Sequence, residues 1–250
     1  MVRRKRQVLT PMISLSIDTC DPRGSVAVRR GGIAVALRRH DSAEDYSSWL
    51  LPAVDSALGE VSLRFEDLNL VAVATGPGSF TGVRVGLTAA KAWAEVYKIP
   101  LVGVSRLESI TRHPDFPKNW VATFYDAHRG QIFAGLYRRT ANSTLELAES
   151  ESAIAPADFL TAVIERAGTE PVRWISLDPQ LLSSLPEWNS RAAIGEQIEL
   201  CPRDLARFIG EIGEERARKG LTTDALHLDA NYVRRSDAEV FWKGPIHRDA

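Results

Sequence analysis

Cysteine is scarce in this 250-residue chain, and net charge and long apolar runs are almost absent. The two cysteines, Cys20 and Cys201, are far apart in sequence and form no metal-binding pair motif, so we expect free thiols and a reducing cytoplasm. The formal net charge of −1 predicts no general attraction to nucleic acid or to a membrane surface. No segment reaches the ~18 apolar residues that a membrane-spanning helix needs.

The start of the chain is locally basic, with arginine or lysine at positions 3–6. Pro11, two serines and Asp18 interrupt the stretch that follows, which argues against a secretory signal peptide. We interpret the basic start as a solvated tail; the alternative is an auxiliary contact with RNA. With 44% hydrophobic and 25% charged residues, the chain has the composition of a globular protein with a substantial core.

Apolar patterns in the first half predict the element order β-β-β-α-β-α-β-α. Residues 12–19 predict a buried strand that includes Asp18, and two alternating strands follow it. Residues 42–59 have helical spacing, with Ser42 as the cap. A hairpin start followed by strand–helix–strand crossovers predicts a mixed sheet with helices on its faces.

The second half begins with a similar pattern. The segment "NWVATFYDAHRGQIFAGLYRR" mirrors "ISLSIDTCDPRGSVAVRR", and Asp126 takes the place of Asp18 at a strand end. This similarity predicts an internal duplication. We therefore predict an α/β fold of two lobes, each a mixed β-sheet flanked by helices. The predicted lobes are residues 12–113 and 119–232, separated by a proline-rich segment, with tails at residues 1–11 and 233–250.

A glycine-rich loop, "TGPGSFTG", joins a predicted strand to a predicted helix. Free backbone N–H groups at such a loop bind anions, and Asp18 and Asp126 could hold Mg²⁺ through water. Gly76, Gly78 and Ser79 would then form a weak nucleotide or anion loop. The loop matches neither G-x-x-x-x-G-K-[ST] nor G-x-G-x-x-G. The alternative is a tight turn in which Ser79 or Thr81 caps the helix.

Small residues recur every four positions in the helix after this loop, at Gly82, Gly86, Ala90 and Ala94. With 3.6 residues per turn they form one nearly straight ridge, which lets another polypeptide approach closely. Each internal glycine costs about 1 kcal/mol relative to alanine, so a close contact has to offset that cost. The contact is either with the chain's own sheet or preceding helix, or with another subunit.

Recognisable catalytic patterns are lacking. No two of the five histidines are three or four residues apart, so no helical metal pair is predicted. The serine-hydrolase motif G-x-S-x-G does not occur either. The residues alone thus indicate a two-lobed chain with a phosphate-like loop and no catalytic set. The histidines are His40, His113, His128, His227 and His247.

The segment "TGPGSFTGVRVGL" closely resembles the signature of the bacterial TsaB (YeaZ) family. The segments "ISLSIDT", "PLVGVSRLESI", "YDAHRGQIFAGLY" and "NYVRR" are similar to further motifs of that family. "YSSWLLP" is similar to its first-helix motif, with Tyr46 in place of the usual histidine. The resemblance is good over residues 12–138 and weak over 139–225.

This resemblance implies the actin-like ASKHA fold, related to RNase H, and a catalytic paralogue, TsaD, as partner. TsaD transfers a threonylcarbamoyl group from threonylcarbamoyl-adenylate to N6 of adenosine 37 of tRNA. TsaC makes the adenylate, and the TsaE ATPase completes the cycle. The resemblance therefore implies a cytoplasmic role in tRNA modification, with an indirect or weak contact to tRNA.

The resemblance also implies that this chain is not itself the enzyme. In TsaD, the segment corresponding to "VSRLESI" carries two metal-binding histidines. Arg106 and Ile110 hold those places here. Arginine has no lone pair to offer at neutral pH, and isoleucine has none at all. We therefore predict a non-catalytic scaffold subunit with no catalytic residue, no metal site and no cofactor of its own, although ATP or ADP with Mg²⁺ could bind at a subunit interface.

In this family the first two helices, here residues 45–58 and 81–98, contact TsaD in a heterodimer, or a second copy when TsaD is absent. We accordingly predict the ridge of small residues and the apolar stripe of the first helix as the interface. The predicted interface residues are Tyr46, Trp49, Leu50, Leu51, Val54, Gly82, Val83, Gly86, Leu87, Ala90 and Ala94.

Two other functions compete with the scaffold. The first is an ASKHA-type nucleotide hydrolase or sugar kinase that acts alone, using Asp18 and the glycine loop. The second is a peptidase, a label attached to related sequences, but the chain has no recognisable nucleophile–base pair.

Overall fold

The computed structural model describes residues 11–41, 44–113, 118–142 and 144–233. The basic start, the predicted cap at Ser42 and most of the predicted C-terminal tail therefore lie outside the described residues. Within those ranges the chain forms two mixed β-sheets with helices packed on them. The predicted α/β architecture of two sheets flanked by helices is confirmed.

The first sheet is formed by the first half of the chain in the predicted order of elements. These are β1 (Ile13–Asp18), β2 (Ser25–Arg30), β3 (Ile33–Arg39), α1 (Tyr46–Glu60), β4 (Leu70–Ala74), α2 (Phe80–Tyr97), β5 (Leu101–Val104) and α3 (Arg106–Ile110). The strand order is β3-β2-β1-β4-β5. The β1–β2 and β2–β3 pairs are antiparallel, whereas β1–β4 and β4–β5 are parallel. Parallel strands need crossover connections, and α1 and α2 lie in those connections.

The second sheet repeats this topology. Its elements are β6 (Trp120–His128), β7 (Gln131–Arg139), β8 (Leu145–Leu147), β9 (Ser152–Ile154), α4 (Pro156–Ala167), β10 (Val172–Ser176), α5 (Gln180–Ser183), α6 (Asn189–Ala193), β11 (Ile198–Leu200) and α7 (Ala206–Arg218). The strand order is β11-β10-β6-β7-β8, and β9 also pairs with β7. Read from the other edge, as β8-β7-β6-β10-β11, this order corresponds strand for strand to that of the first sheet. The correspondence agrees with an internal duplication.

Both faces of β6 are buried, but against different parts of the molecule. Trp120 and Phe124 belong to a hydrophobic core that also contains residues of α4. Val121 and Tyr125 alternate with them and join the large core of the first sheet. Successive side chains of a strand point to opposite faces, so this one strand contributes to two cores. The second sheet is therefore covered on one face by its own helices and on the other by the first lobe.

Helix α7 packs on the first sheet, although it comes from the second half of the chain. A Cβ added at Gly213 would lie 2.6 Å from the Cβ of Ala72 on β4. Farther along, Thr223 forms an antiparallel bridge with Leu101 on β5. The predicted second lobe, residues 119–232, is therefore wrong at its C-terminal end. Sequence order suggested that boundary, but the glycines of α7 fit closely against the first sheet.

The ridge of small residues on α2 faces the interior of the same chain. A Cβ added at Gly82 would lie 2.0 Å from the backbone oxygen of Thr19, and one at Gly86 would lie 2.4 Å from its Oγ1. The Thr19 hydroxyl donates a 2.6 Å hydrogen bond to the Gly82 carbonyl. Ala90 and Ala94 are also buried in the core of the first sheet. The prediction that this ridge admits another subunit is therefore wrong, and contact with the chain's own sheet is the correct alternative.

Most of the other predicted interface residues are also core residues. Val83, Leu87, Leu50 and Val54 are buried. Their positions follow the same helical stripes as the ridge, and those stripes face the sheet. Of the eleven predicted side chains, Leu51 is 54% exposed, and Tyr46 and Trp49 are half-buried.

We expect Gly82→Ala to lower the free energy of unfolding by about 1–3 kcal/mol, because a backbone oxygen occupies the place of the added methyl group. Gly59→Ala is the matched control on α1, since nothing lies within 4 Å of its added Cβ. That control should be neutral or stabilising by up to about 1 kcal/mol. Urea unfolding followed by circular dichroism measures both, and equal stability of the two variants would contradict the packing described.

Candidate functional site

The glycine loop lies between the two lobes and is packed against the end of β1. The Ser79 N–H donates a 2.7 Å hydrogen bond to the carbonyl oxygen of Cys20. A Cβ added at Gly78 would lie 2.2 Å from that same oxygen. The Ser79 side chain caps α2 by accepting a hydrogen bond from the Gly82 N–H. The tight-turn interpretation with a Ser79 cap is thus correct, and the Ser79 N–H is already used within the chain.

Asp18 is enclosed by protein on all sides. Its Oδ2 accepts a 3.0 Å hydrogen bond from Nε of Arg106, and both side chains are 0% exposed. Its Oδ1 accepts a hydrogen bond from the Cys20 N–H. The Arg106 guanidinium lies 4.6 Å from the ring centroid of Tyr125. A cationic side chain therefore sits on one carboxylate that the sequence suggested for Mg²⁺, so these residues do not fit a magnesium–nucleotide complex.

Arg106 also begins a chain of ion pairs that joins the two lobes. Its Nη1 lies 3.3 Å from Oδ2 of Asp21, which also pairs with Nη1 of Arg203 at 2.9 Å. Arg203 in turn forms an ion pair with Asp178. Asp178 accepts a 3.1 Å hydrogen bond from the backbone N–H of Asp126. Charged side chains of this network thus cross from the first lobe to the second.

The ionisation of this network follows from burial and from the neighbouring charges. Burial opposes the charge of Arg106, but Asp18, Tyr125, Asp21 and Cys20 together outweigh burial, so the guanidinium pKa is raised well above its ordinary value. Burial alone would raise the pKa of Asp21, but Arg106, the Arg23 backbone N–H and Arg203 outweigh burial and lower it. Both groups therefore stay charged at neutral pH.

No nucleophile or metal site is apparent in the described ranges. Burial raises the pKa of the Cys201 thiol to about 12 and that of Cys20 well above its ordinary value, so neither thiol is activated. Arg106 and Ile110 are both fully buried. Among the described residues, no group of three or more His, Cys, Asp or Glu side chains could hold a metal ion.

The first lobe has an exposed groove of about 770 Å³ between α1 and α2, which we call the helix groove. It lies on the side of α2 opposite the buried ridge. Its residues are mostly apolar or small, and one of them is charged. The lining residues are Tyr46, Ser47, Leu50, Leu51, Phe80, Thr81, Arg84, Val85, Thr88, Ala89, Ala92 and Trp93.

Tyr46 anchors one end of the helix groove. Its hydroxyl donates a short hydrogen bond to the backbone oxygen of Asp21. Its ring contacts His40 and Trp49, with centroid distances of 4.4 and 5.8 Å. The first turn of α1 is therefore tied to the same loop that carries the ion pairs.

Sequence reasoning found Tyr46, Leu50 and Leu51 of this groove but missed its whole α2 wall. A signal was present, because Val85, Ala89 and Ala92 form a second apolar stripe at helical spacing. The predicted interface was placed on the opposite face of α2, because the glycines of the ridge lie there. The described residues contain no helix that is long and apolar enough to cross a membrane.

A family model and a curated relative are similar to this chain over much of its length. A family model described as TsaD, tRNA N6-adenosine threonylcarbamoyltransferase, matches residues 35–180. The tRNA threonylcarbamoyladenosine biosynthesis protein TsaB of Bacillus subtilis is 32% identical over 235 residues, covering 92% of this chain and 98% of that protein.

Two solved structures share the fold. YeaZ from Pseudomonas aeruginosa matches with a TM-score of 0.66 and 20% identity, covering 88% of this chain and 99% of that one. The activator of 2-hydroxyisocaproyl-CoA dehydratase from Clostridium difficile, with bound ADPNP, matches with a TM-score of 0.50 and 11% identity, covering 84% and 97%. These matches confirm the predicted ASKHA fold.

We expect Asp21→Asn to destabilise the chain by about 1–3 kcal/mol at pH 7, because two arginines lose a charged acceptor. The folded pKa of Asp21 is lowered, so this stability is present above the unfolded pKa of about 3.9 and is lost as the pH falls through the folded pKa. The gap between variant and wild type should therefore close in acid. Urea unfolding across a pH series measures it, with exposed Asp55→Asn as the control that shows little effect at any pH.

Proposed function

The chain belongs to the TsaB family of tRNA threonylcarbamoyladenosine biosynthesis proteins, and from that premise we propose that it is a non-catalytic scaffold subunit. It binds the TsaD transferase and supports its activity, and the threonylcarbamoyl transfer to tRNA takes place on TsaD. Cytoplasmic location, contact with TsaE, homodimers in the absence of TsaD and an indirect or weak contact with tRNA remain predictions that accompany this role.

The buried pair of Arg106 and Asp18 carries the proposal. In an enzyme of this fold, the carboxylate at the end of the first strand has to be accessible to a metal or to substrate. Here it is satisfied by a side chain of the same protein, and both groups are inaccessible to solvent. Removing either partner would leave a buried charge without compensation, so the pair is not readily opened. Asp18 and Arg106 are therefore engaged with each other rather than offered to a substrate.

The helix groove supplies the contact surface that a scaffold needs. Leu51 and Phe80 are large apolar residues exposed on it. The TsaD family model matches residues 35–180, a range that includes both α1 and α2. TsaD thus carries counterparts of these helices, and a pair of such subunits would pack helix pair on helix pair about a pseudo-twofold axis. We therefore assign the α1–α2 counterpart of TsaD as the occupant of the groove.

The alternative, a nucleotide hydrolase or kinase that acts alone, would have to bind Mg²⁺ and phosphate in the cleft. Mg²⁺ and phosphate would have to displace Arg106 from Asp18 and the Ser79 N–H from Cys20. Calorimetric titration of the isolated chain with ATP and Mg²⁺ separates the two functions. Micromolar binding that is lost in Asp18→Asn would favour the enzyme, whereas ATP or ADP bound only when TsaD is present would favour a site at the subunit interface.

We expect the chain to form a stable complex with TsaD of the same organism, and Ala92→Arg to weaken it at least about tenfold. The substitution places an unpaired charge on the apolar wall of the helix groove, where docking removes water. Ala192→Arg is the matched control, because Ala192 is an exposed helical alanine of the second lobe. Titration calorimetry measures the affinity, and tRNA modification by the reconstituted complex should fall in parallel.

Two results would contradict the proposal. One is the absence of any complex between the wild-type chain and TsaD. The other is a loss of affinity that is the same for Ala92→Arg and Ala192→Arg, since the groove would then have no special part in binding.

A further inference from the structure

Arg84 is an exception in the helix groove. Among the groove-lining residues of the described chain it is the one charged side chain, and it lies on an otherwise apolar or small-polar wall. The described contacts of its guanidinium include no ion pair with a carboxylate. A full positive charge thus faces the space where a partner would pack.

The guanidinium is held in place by two aromatic residues. Its Cζ lies 3.5 Å from the ring centroid of Phe80. Its Nε donates a 3.1 Å hydrogen bond to the hydroxyl of Tyr232, whose ring is 5.2 Å from that of Phe80. Neither contact neutralises the charge. An arginine held in this way presents a fixed donor group and loses little conformational freedom when a partner binds.

Docking onto the groove removes water from Arg84, and the consequence depends on what the partner brings. A carboxylate opposite the guanidinium replaces the lost hydration with a charge-assisted hydrogen bond. A partner without one leaves the cation desolvated and unpaired, which is strongly unfavourable. Specificity between two partners can arise from this difference alone.

The groove lining of a second copy of this chain would offer Arg84 no carboxylate. Its own helix groove carries another Arg84 and no acidic lining residue. Pairing two such grooves would enclose two like charges without a carboxylate from either lining. Asp55 lies one turn beyond Leu51 on α1 and is exposed, but it does not line the groove.

We propose that Arg84 is a specificity-determining residue of the helix groove: it selects a partner helix that carries an acidic residue opposite it, and it disfavours a second copy of this chain. The inference rests on the proposed function for the identity of that partner, TsaD, but its effect on self-association does not depend on TsaD. Arg84 thereby biases the groove toward the heterodimer.

Self-association of the isolated chain tests the first half of this proposal. We expect Arg84→Leu to strengthen self-association at least about tenfold in sedimentation equilibrium, because the like charges are removed and apolar surface is added. Lys91→Leu is the matched control, since Lys91 is on the same helix but does not line the groove. For the wild type, raising the salt from about 0.05 M to about 0.5 M should strengthen self-association, because salt screens the repulsion.

Titration with TsaD tests the second half. We expect Arg84→Leu to weaken this complex about tenfold, Arg84→Glu to weaken it further, and salt to weaken the wild-type complex. Thermal melts of each variant establish that it is folded. Arg84 is exposed, so its loss should leave the fold intact.

Two outcomes would overturn the inference. The first is self-association that Arg84→Leu does not strengthen, or that salt weakens, as a bond between Arg84 and Asp55 of a second copy would produce. The second is a TsaD complex that Arg84→Glu does not affect. If the wild type fails to bind TsaD at all, the proposed function fails, and the self-association result still decides the part of Arg84.

Discussion

The ion pair between Arg106 and Asp18 is the interaction on which the rest of this molecule depends. It lies where the first strand, the glycine loop and α3 meet, and both groups are shielded from solvent. Two buried charges are tolerated only because each compensates the other. Through Asp21 and Arg203 the same network continues into the second lobe. The interaction that neutralises Asp18 is therefore part of a network that joins the two lobes.

The pairing of Asp18 with Arg106 sets the chemistry of the space between the two lobes. Here arginines occupy that space, and the glycine loop donates its Ser79 N–H to Cys20 instead of to a phosphate. The helix groove is exposed and mostly apolar, which suits the proposed role of a subunit that acts through a partner.

Helix α2 contributes to both the core of the first lobe and the helix groove, because one face packs on the first sheet and the other lines the groove. Its glycines and alanines let the helix approach the first sheet so closely that Thr19 bonds to the backbone of Gly82. That approach fixes the position of α2, and its opposite face then forms one wall of the groove. A ridge of small residues indicates that another segment packs closely against the helix, but it does not show which segment that is. The prediction of the subunit interface erred on this point, since it chose the face of α2 that carries the clearer pattern.

The sequence by itself determined the order of elements, the mixed sheets and a helix cap at Ser79 or Thr81, because these depend on local patterns and on the chemistry of single residues. Only the tertiary structure decided which face of α2 is exposed, that α7 returns to the first sheet, and that Arg106 neutralises Asp18. Each of these joins residues far apart in the chain, and neither helical periodicity nor residue type specifies which distant surface a segment will meet.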